Sequence, residues 1–144
     1  MGPKQKLHPG ALPGLLGYRL RLAQQAVFRD FAASVQGLSP GRVGLLIYID
    51  ANPGVTQSRL AEAAERDRST MVGVLDQLEA RGLIERRRGA DRRTNGLWLT
   101  RAGGALLARA LRSIARHEQR IAARLTLAER RLLLRLLGKI SSQI

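Results

Sequence analysis

Cysteine is absent from the 144 residues, which excludes disulfides, thiolate zinc sites and cysteine-based redox sensing. Only two histidines occur, His8 in the N-terminal tail and His117 far downstream, and no grouping of Asp or Glu compensates, so no metal cluster is expected. With no local partner in view, His117 reads as a surface or interface residue. Long apolar runs are missing too: even stretches such as Val43 to Ile49, apolar or glycine throughout, are far too short to cross a bilayer. The lysines of Met1 to Gly10 precede no apolar core of signal-peptide length. A soluble, cytoplasmic protein with no membrane association is the expectation. No glycine-rich phosphate loop, nucleophile elbow or metalloprotease motif occurs, so neither catalysis nor a bound cofactor is expected.

Acidic residues are scarce: 11 Asp or Glu stand against 25 Lys or Arg, a net charge of +14 that favours a polyanionic partner. The excess is unevenly placed. Residues 1–53 carry a balance of +4, residues 54–100 only +2, and residues 101–144 carry +8. At this length one domain is the simplest organisation, and the apolar content of 44% is that of a globular chain.

The most informative stretch runs from Thr56 to Thr100. Thr56 can cap a short helix whose inner face is Leu60, Ala61 and Ala64. Asp67 is a good N-cap for a second helix, in which Met71, Leu75 and Leu78 recur at helical spacing beside Val74. Gly82 stops it, because glycine takes the left-handed conformation without steric cost. Two helices joined through Glu65 to Asp67 suggest a helix-turn-helix, with the second helix presented to a major groove. Beyond Gly82, Leu83 to Arg88 and Leu97 to Leu99 read as a two-stranded hairpin around a polar loop. Five arginines fall in this wing region: Arg86, Arg87, Arg88, Arg92 and Arg93. Arginines at a hairpin tip suit the strong negative potential of a narrow minor groove.

On either side the chain reads as helical. Leu12 to about Gln36 places Leu16, Leu20, Ala23 and Val27 at helical spacing, with Phe28 and Phe31 widening the apolar side. Ser39-Pro40 opens a core helix to about Ala51, and Asn52-Pro53-Gly54 is a turn. Thr100 can cap a long helix to about Leu125, and Thr126 to Glu129 fits a capping box for a last, leucine-dense helix. The apolar width of that helix exceeds what one neighbour would cover, which points to a second subunit.

Asp67-Arg68-Ser69-Thr70, then Leu78-Glu79-x-x-Gly82-Leu83-Ile84-x-Arg86, then Asp91-Arg92-Arg93 followed by Leu99-Thr100-x-x-Gly103 resembles the MarR family of bacterial winged-helix regulators. The resemblance implies a mainly α fold with a small β-hairpin (α+β): dimerisation helices at 1–36 and 101–144, and a DNA-binding lobe at 37–100 with its wing at 84–100. It implies a ligand-responsive repressor that binds a pseudo-palindromic duplex as a homodimer and is released by a small anionic effector, an aromatic carboxylate or its coenzyme A thioester. Family members often carry a polar and a basic residue where this chain has Val72 and Gly73.

The candidate DNA-reading residues are Arg68, Ser69, Thr70, Val72 and Gly73 on the second helix and Arg86, Arg88, Arg92 and Arg93 on the wing, with Asp91 ordering the wing loop. Arginine suits guanine or phosphate, hydroxyls suit phosphates or base edges, and valine a thymine methyl; Gly73 would let the backbone approach closely. Arg109, Arg112, Arg116 and Arg120 form a stripe on the long helix, with only Glu118 and Glu129 as local acids. That stripe reads first as a solvated face near the dimer axis, and otherwise as the seat of an anionic effector or as a phosphate-contacting surface outside the wing. Tyr18, Arg21, Phe28, Phe31 and Tyr48 could wall such a site with Arg112 and Arg116, although core packing accounts for the aromatics equally well. The alternative reading of the whole chain is a constitutive architectural or RNA-binding basic protein, and after it a protein-interaction module.

Overall fold

The computed structural model describes residues 7–89 and 94–142. A short 3-10 turn at Leu12–Gly14 leads into α1 (Leu16–Ser34), followed by α2 (Pro40–Ala51), β1 (Val55–Thr56), α3 (Gln57–Ala63), α4 (Arg68–Ala80), β2 (Ile84–Arg88), β3 (Asn95–Leu99), α5 (Arg101–Ile121) and α6 (Leu127–Ser141). Five helices start on a side-chain oxygen that accepts an otherwise unpaired first-turn amide: Ser39 for α2, Thr56 for α3, Asp67 for α4, Thr100 for α5 and Thr126 for α6. Glu129 completes the Thr126 capping box.

The core lies between α2, α3, α4, the sheet and the first half of α5. Val43, Leu45, Leu46 and Ile49 of α2 meet Leu60 and Ala61 of α3, Met71, Leu75 and Leu78 of α4, Ile84 and Leu97 of the sheet, and Leu107 of α5. Ile47 and Tyr48 face outward, so α2 is a core helix on one side only. From α1 only Phe31 is buried, and α6 buries none of its described residues.

Three expectations need correction. The first helix is broken: Leu15 is extended between the Pro13-bearing 3-10 turn and α1. The sheet has three strands, in the order β1-β3-β2 and antiparallel throughout, with Val55 opposite Leu97 and Thr56 opposite Gly96. Two residues are too few to show alternation, and Thr56 joins the sheet while also capping α3. Finally, α5 ends at Ile121, because a turn through Ala122–Leu125 delivers the chain to the Thr126 cap.

Two close approaches hold the lobe to α5. Gly82 (φ 68°) closes α4: its N–H donates to Glu79 O (2.8 Å), and the N–H of Leu83 donates to Leu78 O (3.0 Å). Thr100 then donates from its backbone to Leu83 O (3.1 Å) and from its hydroxyl to Gly82 O (2.6 Å). Gly103 sits so near that a Cβ there would lie 1.9 Å from Leu83 O. Gly103→Ala is therefore expected to destabilise the protein by about 1–3 kcal/mol through backbone displacement. Urea unfolding checks this, and an unchanged midpoint would refute it.

Candidate nucleic-acid interface and effector cleft

The outer side of α4 is the surface left over once its apolar stripe is packed. Met71, Leu75 and Leu78 have 0% exposure, so Arg68, Ser69, Thr70, Val72 and Gly73 are all exposed. Val72 keeps 41% of its surface in solvent, and a Cβ at Gly73 would meet nothing within 4 Å. Asp67 organises the first turn. Its carboxylate accepts the Thr70 hydroxyl (2.6 Å), the Ser69 hydroxyl (2.7 Å) and the Thr70 amide (2.8 Å). The bond from the Thr70 hydroxyl, then that from Ser69, hold the Asp67 carboxyl well below the usual carboxylate range. Both hydroxyls thus spend their hydrogens on Asp67 and present lone pairs outward; donating to a phosphate requires them to leave it.

The described wing arginines are not equivalent. Arg86 turns back to α4, where its guanidinium pairs with Asp76 (2.7 Å) and with Glu79. Arg87 pairs with Glu85 and lies 5.1 Å from the Trp98 ring centre. Arg88 is exposed. Asp91, Arg92 and Arg93 lie outside the described residues. Motif reading passed over two further basic residues. Arg59 and Arg66 border a cleft of about 360 Å³ with Ser58, Glu62 and Arg68, beside the start of α4. Their usable signal was position: Arg59 lies in the first turn of α3 and Arg66 in the turn of the motif.

The candidate effector residues fall in separate places. Arg21 stacks over Tyr18 at 5.2 Å on α1, and Phe28 is half exposed. Tyr48 donates its hydroxyl to Ala63 O (3.1 Å) and lines a cleft of about 350 Å³ between α2 and α3. Arg112 is exposed on α5. Arg116 lines a different cleft of about 350 Å³, between α1 and α5, with Asp30, Ala33, Ser34, Ser113 and Arg120. Phe31 is buried, edge-on to His117 with ring centres 5.5 Å apart.

His117 corrects the surface assignment: it is 2% exposed, and its Nδ1 lies 2.6 Å from Asp30. Asp30 also corrects the inventory of acids near the arginine stripe. Arg120 grips it through two bonds, of 3.1 and 2.9 Å, and Ser34 donates to the Asp30 backbone carbonyl (2.6 Å). The Arg120 bond, followed by that from His117, holds the Asp30 carboxyl well below its ordinary range. Asp30 therefore stays ionised as an acceptor, and the imidazole presents Nδ1–H to it. Glu118 is likewise engaged, with Arg130 of α6 at 3.0 Å.

An exposed helix held on a helix-turn-helix and followed by an antiparallel hairpin defines a winged-helix DNA-binding protein. Residues 36–94 match the MarR family profile. Over 138 residues, 93% of this chain and 83% of the relative, the sequence is 43% identical to a Thauera aromatica protein named for transcriptional regulation of the hcr operon. Two solved structures of the transcriptional repressor CouR superpose closely. The one bound to a 23-mer DNA duplex gives a TM-score of 0.89 at 42% identity, covering 95% of this chain and 99% of CouR. The one bound to p-coumaroyl-CoA gives 0.88 at 39%, covering 96% and 100%. The chain belongs to the MarR family of transcriptional regulators.

The open space at Gly73 yields a two-sided test. Gly73→Ala is expected to stabilise the helix by about 0.5–1 kcal/mol, since glycine is a poor helix former. The same methyl would hold a duplex away and weaken binding. Urea melts and duplex titration measure the two effects, and unchanged duplex affinity would remove Gly73 from the interface.

Proposed function

We propose that this protein is a ligand-responsive repressor: a homodimer that grips a pseudo-palindromic operator and lets go when a small anionic effector binds. The observation that carries this reading is the pair of CouR structures, in which a near-full-length match at about 40% identity is seen once with DNA and once with p-coumaroyl-CoA. On this reading each α4 enters a major groove through Arg68, Ser69, Thr70, Val72 and Gly73. Arg59 and Arg66 flank it on the phosphates, and Arg92 and Arg93 carry the wing into the adjacent minor groove, with Asp91 ordering their loop. Half-sites would lie about one helical turn apart.

A dimer accounts for α6. Leu127 and Leu134 are each 64% exposed, and Leu132, Leu133, Leu136 and Leu137 lie beside them in solvent. Leu15, Leu16 and Phe28 of the N-terminal segment are at least half exposed as well. A contiguous apolar face of this kind is covered in a stable protein, and a second copy interleaving its terminal helices covers both segments at once. The cytoplasm is the compartment this role requires.

For the effector, Arg120 of the stripe is already paired with Asp30; of the remaining Arg109, Arg112 and Arg116, we assign Arg112 and Arg116 to a carboxylate or thioester phosphates. Tyr18, Arg21, Phe28 and Phe31 lie on α1, whereas Tyr48 lines a separate cleft between α2 and α3; those on α1 are the ones a partner could complete. Linkage requires that a ligand which releases DNA is itself bound more weakly by the DNA complex.

The test is a thermal-shift panel of aromatic acids and their coenzyme A thioesters, p-coumaroyl-CoA included. A ligand at about one hundred times its Kd adds about 2.7 kcal/mol of stability, a rise of several degrees in Tm. The same compound should free the protein from a duplex enriched by the protein out of a randomised pool. Stabilisation by none of the panel would overturn the anionic-effector reading, as would stabilisation without release.

A further inference from the structure

Arg86 stands in a run of three arginines that composition treats alike, yet its surroundings differ from those of its neighbours. Its backbone N–H donates to Glu79 Oε1 (3.3 Å), and its guanidinium engages the other oxygen of Glu79 and Asp76 Oδ1 (2.7 Å). Asp76 and Glu79 lie three residues apart on α4, one above the other on a single face. The Arg86 side chain keeps 22% of its surface exposed, against 57% for Arg87. One residue of β2 is thus bonded to two carboxylates of the recognition helix, just beyond the Gly82 turn that joins the two elements.

The charges argue against a phosphate partner. Asp76, Glu79 and Arg86 together carry a net charge of −1, so a phosphate reaching this guanidinium would have to displace a carboxylate and join a cluster already negative. The geometry suits a different task. A winged helix reads two grooves simultaneously, so the angle between its helix and its hairpin must match the duplex. The Gly82 turn and its bonds to Thr100 anchor the start of the wing, and a planar guanidinium forked across two carboxylates adds a side-chain tie between β2 and the helix beyond that anchor. We infer that Arg86 is a positioning residue that locks the wing to the recognition helix and thereby sets specificity rather than bulk affinity for DNA.

The inference builds on the duplex-binding reading, which has its own measure: the wild-type protein must enrich a duplex from a randomised pool. Binding of that duplex and of a scrambled one is then followed across a salt series for R86Q, R86K and the double variant D76N/E79Q, with Tm recorded for each. The expected result is a loss of about tenfold or more on the enriched duplex for R86Q and for D76N/E79Q, the scale of losing charge-assisted bonds. Scrambled-duplex affinity and the salt slope should stay near wild type. R86K, which keeps the charge but cannot fork, should fall with R86Q on the enriched duplex. Three results would overturn the inference: wild-type behaviour of R86K, equal losses on both duplexes with the R86Q slope reduced by about one, or tighter binding of both duplexes by D76N/E79Q. Should R86Q melt below the binding temperature, R86K decides alone.

Discussion

Everything the surface of this protein offers to DNA depends on the burial of one stripe of α4. Met71, Leu75 and Leu78 are wholly enclosed by α2, α3, the sheet and α5, each burial stabilising the fold by about 1.5–3 kcal/mol. A helix held that firmly on one side cannot rotate, so the opposite side is set with equal firmness. That is why residues as unlike as Arg68, Ser69, Val72 and Gly73 share one exposed face. It is also why a valine can be kept in solvent there: the stripe behind it carries the cost.

The attachment of the lobe to the terminal helices has a different character. Where the turn after α4 meets the start of α5, Thr100 and Gly103 bring backbone against the carbonyls of Gly82 and Leu83, leaving little room for adjustment. Where α1 meets α5, a polar cluster lies beside the buried Phe31: Asp30 receives His117 and Arg120 at a cleft open to solvent. A junction built of backbone contact transmits movement of α5 into the lobe. Charged groups at the rim of a cleft can be competed for by a charged ligand. The two junctions sit on the same helix, which makes α5 the natural route between an effector and the reading head under the proposed function.

Charge is sorted finely within the lobe. Its small net balance reflects a set of acids each committed to a particular place. Asp67 caps α4, Asp76 and Glu79 hold Arg86, and Glu85 holds Arg87. Arg59, Arg66, Arg68, Arg81 and Arg88 form no ion pair among the described residues, and all five are exposed. The net charge of the whole chain is a poor guide to this interface, since the largest excess lies on α5 and α6.

Much of this was legible in the order of residues. Caps at Ser39, Thr56, Asp67, Thr100 and Thr126 were readable because a cap and its amides lie three residues apart, and the stripe of α4 because helical period is local. The motif through Gly82 was readable because only a left-handed residue closes the helix there. By contrast, β1 needed its partner strand about forty residues away, and Arg86 is separated from Arg88 only because α4 covers the start of β2 and not its end. His117 read as a surface or interface residue until the fold brought Asp30, 87 positions earlier, within 2.6 Å of it. Helices, turns and their order follow from interactions spanning a few residues, and these the chain determined by itself. Asp30 meets His117 and Arg120 across 87 and 90 positions, and Arg86 reaches Asp76 and Glu79 only because the chain folds back on α4 after Gly82, so the packed tertiary structure chose the partners of Asp30, Arg86 and His117.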